Sequence, residues 1–263
     1  MITPGADNEV LLEIVEGNIA VVTLNRPAVR NAVNAAMTLK LDAIVKRIEA
    51  DDEIRVAILA SSNARAFCAG ADLAEVAQGN GPKLRTIDGG FAGFTDALKS
   101  KPWIAAVRGF VFAGGFELAL ACDMLVASTD AVFGVPEVRR GLVAGAGGLY
   151  RLPRVVPRSI SIEMVATGEP IDAARAASLG MINHVVASEA VLDKAVELAR
   201  MIANNAPVAV RESLKVVRRA TEHSDDELRK LSQAASDLTM VTDDCKEGAN
   251  AFLEKRAPHW VGH

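Results

Sequence analysis

Three short runs of mostly apolar residues place the strongest constraint on the fold of this chain. They are Ile54 to Ala60, Ile104 to Val107 and Met124 to Ala127, rich in Ile, Val, Leu and Ala. Runs without polar alternation are typical of strands buried on both faces, as in a parallel sheet. Helical patterns separate them, so the alternation of strand and helix predicts an α/β fold with right-handed crossovers.

The segments before and between these runs have their own local signals. Val10 to Val15 and Ile19 to Leu24 are β-rich and are separated by Glu16-Gly17-Asn18, which predicts a hairpin. Asn34 leads a helical pattern that reaches about Ala50. Gly79 to Gly93 is rich in glycine and is predicted to be a mobile loop.

Beyond Arg158 the pattern becomes almost wholly helical. We predict helices over Ser159 to Thr167 and Asp172 to Leu179, a short strand at Ile182 to Val186, later helices that start near Ser188, Pro207 and the Ser224/Glu227 capping box, and a last helix over Asp243 to Lys255. We therefore predict two domains, an α/β core over residues 1–200 and a helical C-terminal subdomain over residues 201–263.

Charge and hydropathy exclude several classes of partner. The net charge of −4 gives no long-range attraction to nucleic acid, so no nucleic-acid partner is expected. The longest apolar stretch, Ile104 to Ala127, is interrupted by Arg108, Glu117 and Asp123, which would be costly in lipid, so no membrane partner is expected either. Met1 to Val10 lacks the basic and apolar regions of a signal peptide.

The cysteines and histidines argue against metal and disulfide chemistry. Cys68, Cys122 and Cys245 are odd in number and have no CxxC spacing, so we expect no zinc site and no disulfide framework, and we expect a reducing cytoplasm as the location. The sequence contains no GxSxG, no HExxH and no phosphate-binding loop ending in Gly-Lys-Ser/Thr. Its four histidines fall outside the glycine-rich centre of the chain, so neither a histidine-based triad nor a metal site is expected.

Two central segments join small residues to the start of a helical run. They are Ala66 to Leu73 and Ala113 to Leu120, and they could leave the backbone N–H groups of Ala71 and Gly114 free at helix N-termini. Two such donors aimed at one point form an oxyanion hole that stabilises an enolate. The alternative is that these glycines only permit close helix packing, and the spacing does not decide between the two.

Glu117 and Glu137 are the candidate acid-base groups. Glu117 lies in an otherwise apolar stretch, and Glu137 follows Pro136 at the predicted start of a helical turn. An apolar environment raises the pKa of a carboxyl group towards neutrality, as general acid-base catalysis requires. The alternative pairs Glu117 with a buried Arg139 or Arg140.

Cys68 is a weaker candidate for a catalytic group. It stands beside the predicted oxyanion hole, but no histidine is near it in the sequence. We interpret it as a small buried residue rather than a nucleophile.

The ordered motifs of the chain resemble successive signatures of the crotonase superfamily, the enoyl-CoA hydratases and isomerases. The matching segments are Asn25-Arg26-Pro27, Arg30-Asn31-Ala32, Phe67 to Leu73, Gly114 to Ala119, Phe133 to Glu137, Gly145 to Gly148 with Arg151-Leu152, and Ala251 to Arg256. The resemblance covers essentially the whole chain. It implies a spiral of ββα turns closed by a C-terminal helical subdomain, assembled as a homotrimer or as a hexamer of two trimers.

The resemblance also implies a reaction and its residues. The amides of Ala71 and Gly114 would hold the thioester oxygen of a 2-enoyl-CoA, Glu117 would activate a water for attack at C3, and Glu137 would deliver a proton to C2. Further substrate contacts are implied for Arg26, Ala69, Asp72, Leu73, Pro136 and Lys255. No cofactor is implied, because coenzyme A is part of the acyl-CoA thioester substrate.

Other functions stay open at this stage. Gly89 to Phe94, Gly115 to Leu120 and Glu254 to Trp260 look like the carnitinyl-CoA dehydratase branch, and other members of the superfamily are isomerases. Ala113 stands where the family frequently has an extra glycine, and Val143-Ala144 stand where hydratases commonly have a proline. A non-catalytic binding protein of the same fold could contact RNA through Lys215, Arg218 and Arg219, although neighbouring glutamates favour a solvated face.

Overall fold

The computed structural model describes residues 9–263. Most of Met1 to Val10, which was compared with a signal peptide above, lies outside the described residues. The strands, in chain order, are β1 (Val10–Val15), β2 (Ile19–Leu24), β3 (Val56–Ser61), β4 (Ala66–Cys68), β5 (Arg85–Thr86), β6 (Gly90–Phe91), β7 (Trp103–Val107), β8 (Phe110–Phe112), β9 (Met124–Ser128), β10 (Val132–Gly134), β11 (Ile171–Asp172) and β12 (His184–Val186). The helices are α1 (Ala35–Ala50), α2 (Leu73–Ala77), α3 (Gly114–Leu120), α4 (Gly148–Val155), α5 (Arg158–Thr167), α6 (Ala173–Ser178), α7 (Val191–Ala203), α8 (Pro207–Val217), α9 (Asp225–Met240) and α10 (Asp243–Glu254).

The strands form a six-stranded sheet in the order β1-β2-β3-β7-β9-β12 and a four-stranded sheet in the order β11-β10-β8-β4. Strands β1 and β2 are an antiparallel hairpin, as predicted. From β2 to β12 the larger sheet is parallel. A strand in the large sheet, a strand in the small sheet and then a helix recur as β3-β4-α2 and β7-β8-α3, which is the predicted ββα turn.

The predicted strands β3, β7 and β9 are buried on both faces. In β3, Ala57 and Leu59 pack into one hydrophobic core, while Val56 and Ile58 pack into a second core on the opposite face. Helix α7 supplies the apolar cover of that second core. The continuous apolar runs therefore follow from central strands that have no solvent-facing side.

Most predicted helix starts are confirmed by their caps. The Asn34 side chain accepts the Met37 N–H at the start of α1, and Ser224 with Glu227 forms a capping box at the start of α9. Pro207 is the first residue of α8. Ser188 was expected to precede a helix directly, but it begins a 3-10 turn that makes no side-chain cap, and α7 starts only at Val191.

The Gly79 to Gly93 segment has more regular structure than a plain loop. It contains a 3-10 helix over Gly81–Leu84 and the two-stranded ribbon of β5 and β6. Leu84 and Phe91 are buried in the main core, which anchors both pieces. Isolated glycines are therefore a poor guide to this segment.

Helix α7 crosses the predicted domain boundary at residue 200. It packs on the large sheet through Ala195, Ala199 and Ala203, so its whole length lies with the α/β core. Helices α8, α9 and α10 follow, and the division into two domains stays a prediction. No helix within residues 9–263 is both long and apolar enough to span a membrane.

Candidate active site

A cleft of about 870 Å³ brings most of the predicted site residues together. It is lined by the connection from β4 to α2, the start of α3, the 3-10 helix over Pro136–Arg140 and the β5/β6 ribbon. The predicted site residues in its wall are Ala69, Ala71, Leu73, Gly114, Glu117, Pro136 and Glu137. Arg26, Asp72 and Lys255 do not line it.

The backbone amides of Ala71 and Gly114 are free donors in the cleft wall. The Val33 N–H donates to the Gly70 carbonyl (2.8 Å) and the Asp72 N–H donates to the Val33 carbonyl (2.9 Å), a parallel bridge that leaves the intervening Ala71 N–H unused. Gly114 is the first residue of α3, where no earlier turn supplies an acceptor. Neither amide donates to another residue within the described chain.

Ala71 does not occupy the helix position that we predicted. Helix α2 begins at Leu73 with Asp72 as its N-cap, so the Ala71 amide lies just outside the helix. Its N–H is left free by the bridge to Val33 rather than by the helix end. The Ala71 N–H is free as predicted, but the predicted reason for it is wrong, and its role as an oxyanion donor stays a prediction.

Gly70 brings the two donor segments into contact. A Cβ on Gly70 would lie 2.9 Å from the Ala113 Cβ and 3.0 Å from the Gly114 nitrogen, and the φ of Gly70 is +92°. Only glycine accepts both the close approach and this backbone conformation without strain. The glycines therefore allow close packing and also bring together the segments that carry the two free amides, so the two alternatives do not exclude each other.

Ala113 turns the chain from β8 into α3 with φ 51° and ψ −131°. This region of backbone conformation favours glycine and is costly for alanine. Its N–H donates to the Gly134 carbonyl (2.9 Å), which helps to hold the turn. The conformation explains why a glycine suits this position.

Glu117 is buried and held by backbone amides rather than by an arginine. Its side chain is 3% exposed, and its Oε1 accepts the Ala146 N–H (2.7 Å) and the Gly148 N–H (2.8 Å). Burial raises the pKa of Glu117, and these two amides oppose the rise, as do the charges of Arg151 and Arg85.

The alternative in which Glu117 pairs with Arg139 or Arg140 is wrong. Arg139 instead forms an ion pair with Glu169 and donates from Nε to the Thr167 carbonyl (3.1 Å). The backbone amides of Ala146 and of Gly148, at the start of α4, supply the donors that this alternative gave to a guanidinium.

Glu137 is the second carboxyl group in the cleft. Pro136 and Glu137 open the 3-10 helix, as the sequence predicts, and the Glu137 Oε2 is buried without a hydrogen-bond partner among the described residues. The pKa of Glu137 is raised to about 7, chiefly by burial and also by the negative charge of Glu117, although a backbone hydrogen bond and Arg140 act to lower it. The two carboxyl groups therefore lie close enough to interact, and burial raises the pKa of both.

Residues 15–263 match the family model described as Enoyl-CoA hydratase/isomerase. This range includes the free amide pair and the two interacting carboxyl groups. The chain belongs to this family, the crotonase superfamily. The match covers all the described elements except the first residues of β1.

Relatives of known name and structure support the assignment to the enoyl-CoA hydratase/isomerase family. The chain is 39% identical over 251 residues to a carnitinyl-CoA dehydratase of Proteus mirabilis, with 94% of this chain and 96% of the relative covered. The crystal structure of an enoyl-CoA hydratase from Mycobacterium tuberculosis H37Rv is 41% identical and superposes with a TM-score of 0.92 over 97% of this chain and 99% of that one. A carnitinyl-CoA hydratase from Mycobacterium avium is 37% identical, with a TM-score of 0.74 over 97% of this chain and 99% of that one. The predicted crotonase-like α/β fold is confirmed.

Arg26 and Asp72, two residues that the resemblance to the crotonase superfamily assigns to coenzyme A, are bonded to each other. Arg26 pairs with Asp72 (3.0 Å) and with Glu9 (3.3 Å), and Asp72 also caps α2 by accepting the Ala74 N–H (3.1 Å). In this structure they brace the β4 to α2 connection. Lys255 ends α10 in a left-handed conformation and is exposed. Contacts of these three residues with coenzyme A stay predictions.

Cys68 is buried behind the cleft wall, where it packs against the start of α3. Its thiol donates to the Asn31 carbonyl (3.1 Å), and burial raises its pKa to about 12. A Cβ on Gly115 would lie 2.2 Å from the Cys68 carbonyl oxygen, so this strand and α3 are in direct contact. The interpretation of Cys68 as a buried packing residue is confirmed.

Sequence reasoning missed the groups that hold Glu117. The amides of Ala146 and Gly148 belong to the Gly145 to Gly148 run, which we noted only as a family signature. Its glycines, next to a helix start, were the available signal. Within residues 9–263 no group of three or more His, Cys, Asp or Glu side chains could hold a metal ion.

Proposed function

We propose that this hydro-lyase of the crotonase superfamily reversibly adds water across the C2–C3 double bond of a 2-enoyl-CoA thioester. The observation that carries the proposal is the pairing of two interacting buried carboxyl groups, Glu117 and Glu137, with the free amides of Ala71 and Gly114 in one cleft. Hydration needs a base for water, an acid for carbon and a donor for the enolate oxygen. The cleft contains a candidate for each.

The two glutamates have different roles in this proposal. Glu117 acts in its ionised form and is oriented by the Ala146 and Gly148 amides on Oε1, which leaves Oε2 to take a proton from water as its oxygen attacks C3. Glu137, with a pKa of about 7, donates its proton to C2. A later proton transfer between the two carboxyl groups restores their starting states. Dehydration is the same path in reverse.

The oxyanion donors stabilise the intermediate charge. Attack at C3 moves an electron pair onto the thioester oxygen, which becomes an enolate before C2 is protonated. The Ala71 and Gly114 N–H groups bind this oxygen and need no proton transfer to do so. The reaction as proposed uses no cofactor, since coenzyme A belongs to the substrate.

Loss of absorbance at the enoyl-thioester band tests the function directly. We expect the protein to bleach this band with crotonyl-CoA and to form the 3-hydroxyacyl product. A protein that leaves the band unchanged across short, long and branched 2-enoyl-CoA esters is not an enoyl-CoA hydratase. Formation of a 3-enoyl product instead would assign it to the isomerases.

Dehydration of carnitinyl-CoA is the second candidate. The 39% identity to a dehydratase of that name supports it, as does the sequence around Gly89 to Phe94. The catalytic groups needed are the same, so this candidate differs in the acyl group rather than in the chemistry.

The RNA-binding alternative has little support. Arg218 donates to both Asp123 carboxylate oxygens at 2.7 Å and to the Lys101 carbonyl (2.9 Å), and Lys215 pairs with Glu212. Two of the three basic residues thus have partners within the chain. Their side chains are used in these contacts and do not form a free cationic face on α8.

We also propose a homotrimer or a hexamer, in a reducing cytoplasm. The support for assembly is a set of exposed apolar side chains at the end of α9 and in α10, which are Leu238, Met240, the C-cap residue Val241, Phe252 and Leu253. The support for the location is the three free thiols.

A further inference from the structure

The cleft contains an arginine that the hydration chemistry does not use. Arg85 lies in β5 directly opposite Phe91 in β6, and both residues line the cleft. Residues directly opposite each other in an antiparallel pair project from the same face. The ribbon therefore presents a guanidinium and an aromatic ring together.

Phe91 connects Arg85 to the segment that carries the Gly114 amide. A Cβ on Gly114 would lie 2.5 Å from Cε1 of Phe91, so the ring packs directly on the oxyanion donor segment. The positive charge of Arg85 also acts on Glu117, whose pKa it lowers. Arg85 is therefore held near Gly114 through Phe91, and its charge reaches Glu117, so under the proposed function it lies near the bound acyl group.

The charge of Arg85 is only partly compensated. Its NH2 group pairs with Asp96 at 3.3 Å, and the two side chains are 47% and 40% exposed, a setting in which an ion pair is weak. The same Asp96 also lies 3.8 Å from Arg151. A guanidinium has five N–H donors, and the contact with Asp96 uses one of them.

The remaining charges of the cleft wall have the same sign. Apart from Glu117 and Glu137, the charged residues of the wall are Arg30, Arg85 and Arg140. Arg140 lies beside Glu137, whose pKa it lowers. No carboxylate other than the catalytic pair is available in this wall to receive a cationic acyl group.

We propose that Arg85 is a specificity-determining residue that selects 2-enoyl-CoA esters whose acyl group ends in a carboxylate. A guanidinium binds a carboxylate through paired, charge-assisted hydrogen bonds, whereas it repels a quaternary ammonium group. This inference rests on the proposed hydratase function and separates it from the carnitinyl-CoA alternative, whose acyl group is cationic.

The test compares three 2-enoyl-CoA esters of matched chain length that end in a methyl, a carboxylate or a trimethylammonium group. Hydration kcat/KM is measured for the wild type, Arg85→Met, Arg85→Lys and Arg140→Met. Arg154→Met is the matched control, because Arg154 is a similarly exposed, ion-paired arginine that does not line the cleft.

We expect the wild type to prefer carboxylate over methyl over trimethylammonium. Arg85→Met should lower the carboxylate-to-methyl ratio of kcat/KM roughly tenfold or more, mainly through KM, while Arg85→Lys keeps part of the preference and Arg154→Met keeps all of it. An unchanged ratio in Arg85→Met, an equal loss with all three esters, or a preference that disappears only in Arg140→Met would overturn the proposal. If the wild type hydrates the methyl ester without any charge preference, only this inference fails; if it hydrates none of the three, the proposed function fails with it.

Discussion

Gly70 lies against Gly114 so closely that a Cβ on Gly70 would be 3.0 Å from the Gly114 nitrogen. The contact sets the spacing of the two amides proposed to hold the thioester oxygen. We expect Gly70→Ala to displace the Gly114 amide and to lower kcat about 10²–10³-fold, the usual cost of losing one oxyanion donor. Steady-state hydration kinetics measure this loss.

The matched control for this substitution is Gly180→Ala. Gly180 also has a positive φ, +84°, but a Cβ there meets nothing within 4 Å. Both variants should lose ~1–2 kcal/mol of stability to the left-handed backbone. Equal kcat values for the two folded variants would show that the contact with Gly114 does not matter for catalysis.

The pKa of Glu137, about 7, predicts the pH dependence of hydration. Hydration needs protonated Glu137, so its kcat/KM should fall as the pH rises through about 7. Dehydration starts from the same pair of carboxyl groups with one shared proton, and the overall reaction takes up no proton, so its kcat/KM should fall in parallel. A hydration kcat/KM that stays constant as the pH rises through about 7 would remove Glu137 as the acid that protonates C2.

The same shift predicts a pH-dependent gain in stability for Glu137→Gln. The pKa of Glu137 in the folded protein is raised above the usual 4.5. Its contribution to the free energy of unfolding is therefore fully present below about pH 4.5 and is lost as the pH rises through about 7. Glutamine has no proton to lose, so the difference in Tm between the variant and the wild type should grow from pH 5 to pH 8. Thermal unfolding at both pH values checks this, and a difference that shrinks instead would contradict the raised pKa.

The exposed apolar side chains at the end of the chain predict an oligomer. Phe252 and Leu253 are 83% and 76% exposed on α10. Sedimentation should show three or six copies of the 27.7 kDa chain, and Phe252→Glu with Leu253→Glu should dissociate them. Leu39→Glu, at an exposed position on α1, is the control and should leave the assembly intact. A stable wild-type monomer at micromolar concentration would refute the proposed assembly.

The parts of the fold that the sequence predicts correctly are those fixed by local chemistry. Residues close in the sequence determine the buried runs of β3, β7 and β9 and the helix caps Asn34 and Ser224, so the sequence predicts them correctly. The start of α7 was misplaced because Ser188 has the residue type of a cap without the contact.

The candidate site was predicted less completely, because its partners come from distant segments. The amides of Ala146 and Gly148 reach Glu117 across about thirty residues of sequence, and nothing in the pattern around Glu117 points to them. The same is true of the bridge between Val33 and Ala71 that frees the Ala71 amide. Both depend on tertiary packing, which single-residue signals do not encode.

The central claim is that Glu117 and Glu137 together hydrate a 2-enoyl-CoA. The most direct test is the hydration rate of the best ester by the wild type, Glu117→Gln, Glu137→Gln and the double variant. Glutamine at position 117 can still accept the Ala146 and Gly148 amides, so the fold should persist. We predict that each single variant loses about 10²–10⁴-fold in kcat and that the double variant loses little more, because the two groups act in one sequence of proton transfers that fails when either is removed. A wild-type rate in either folded single variant would contradict the account.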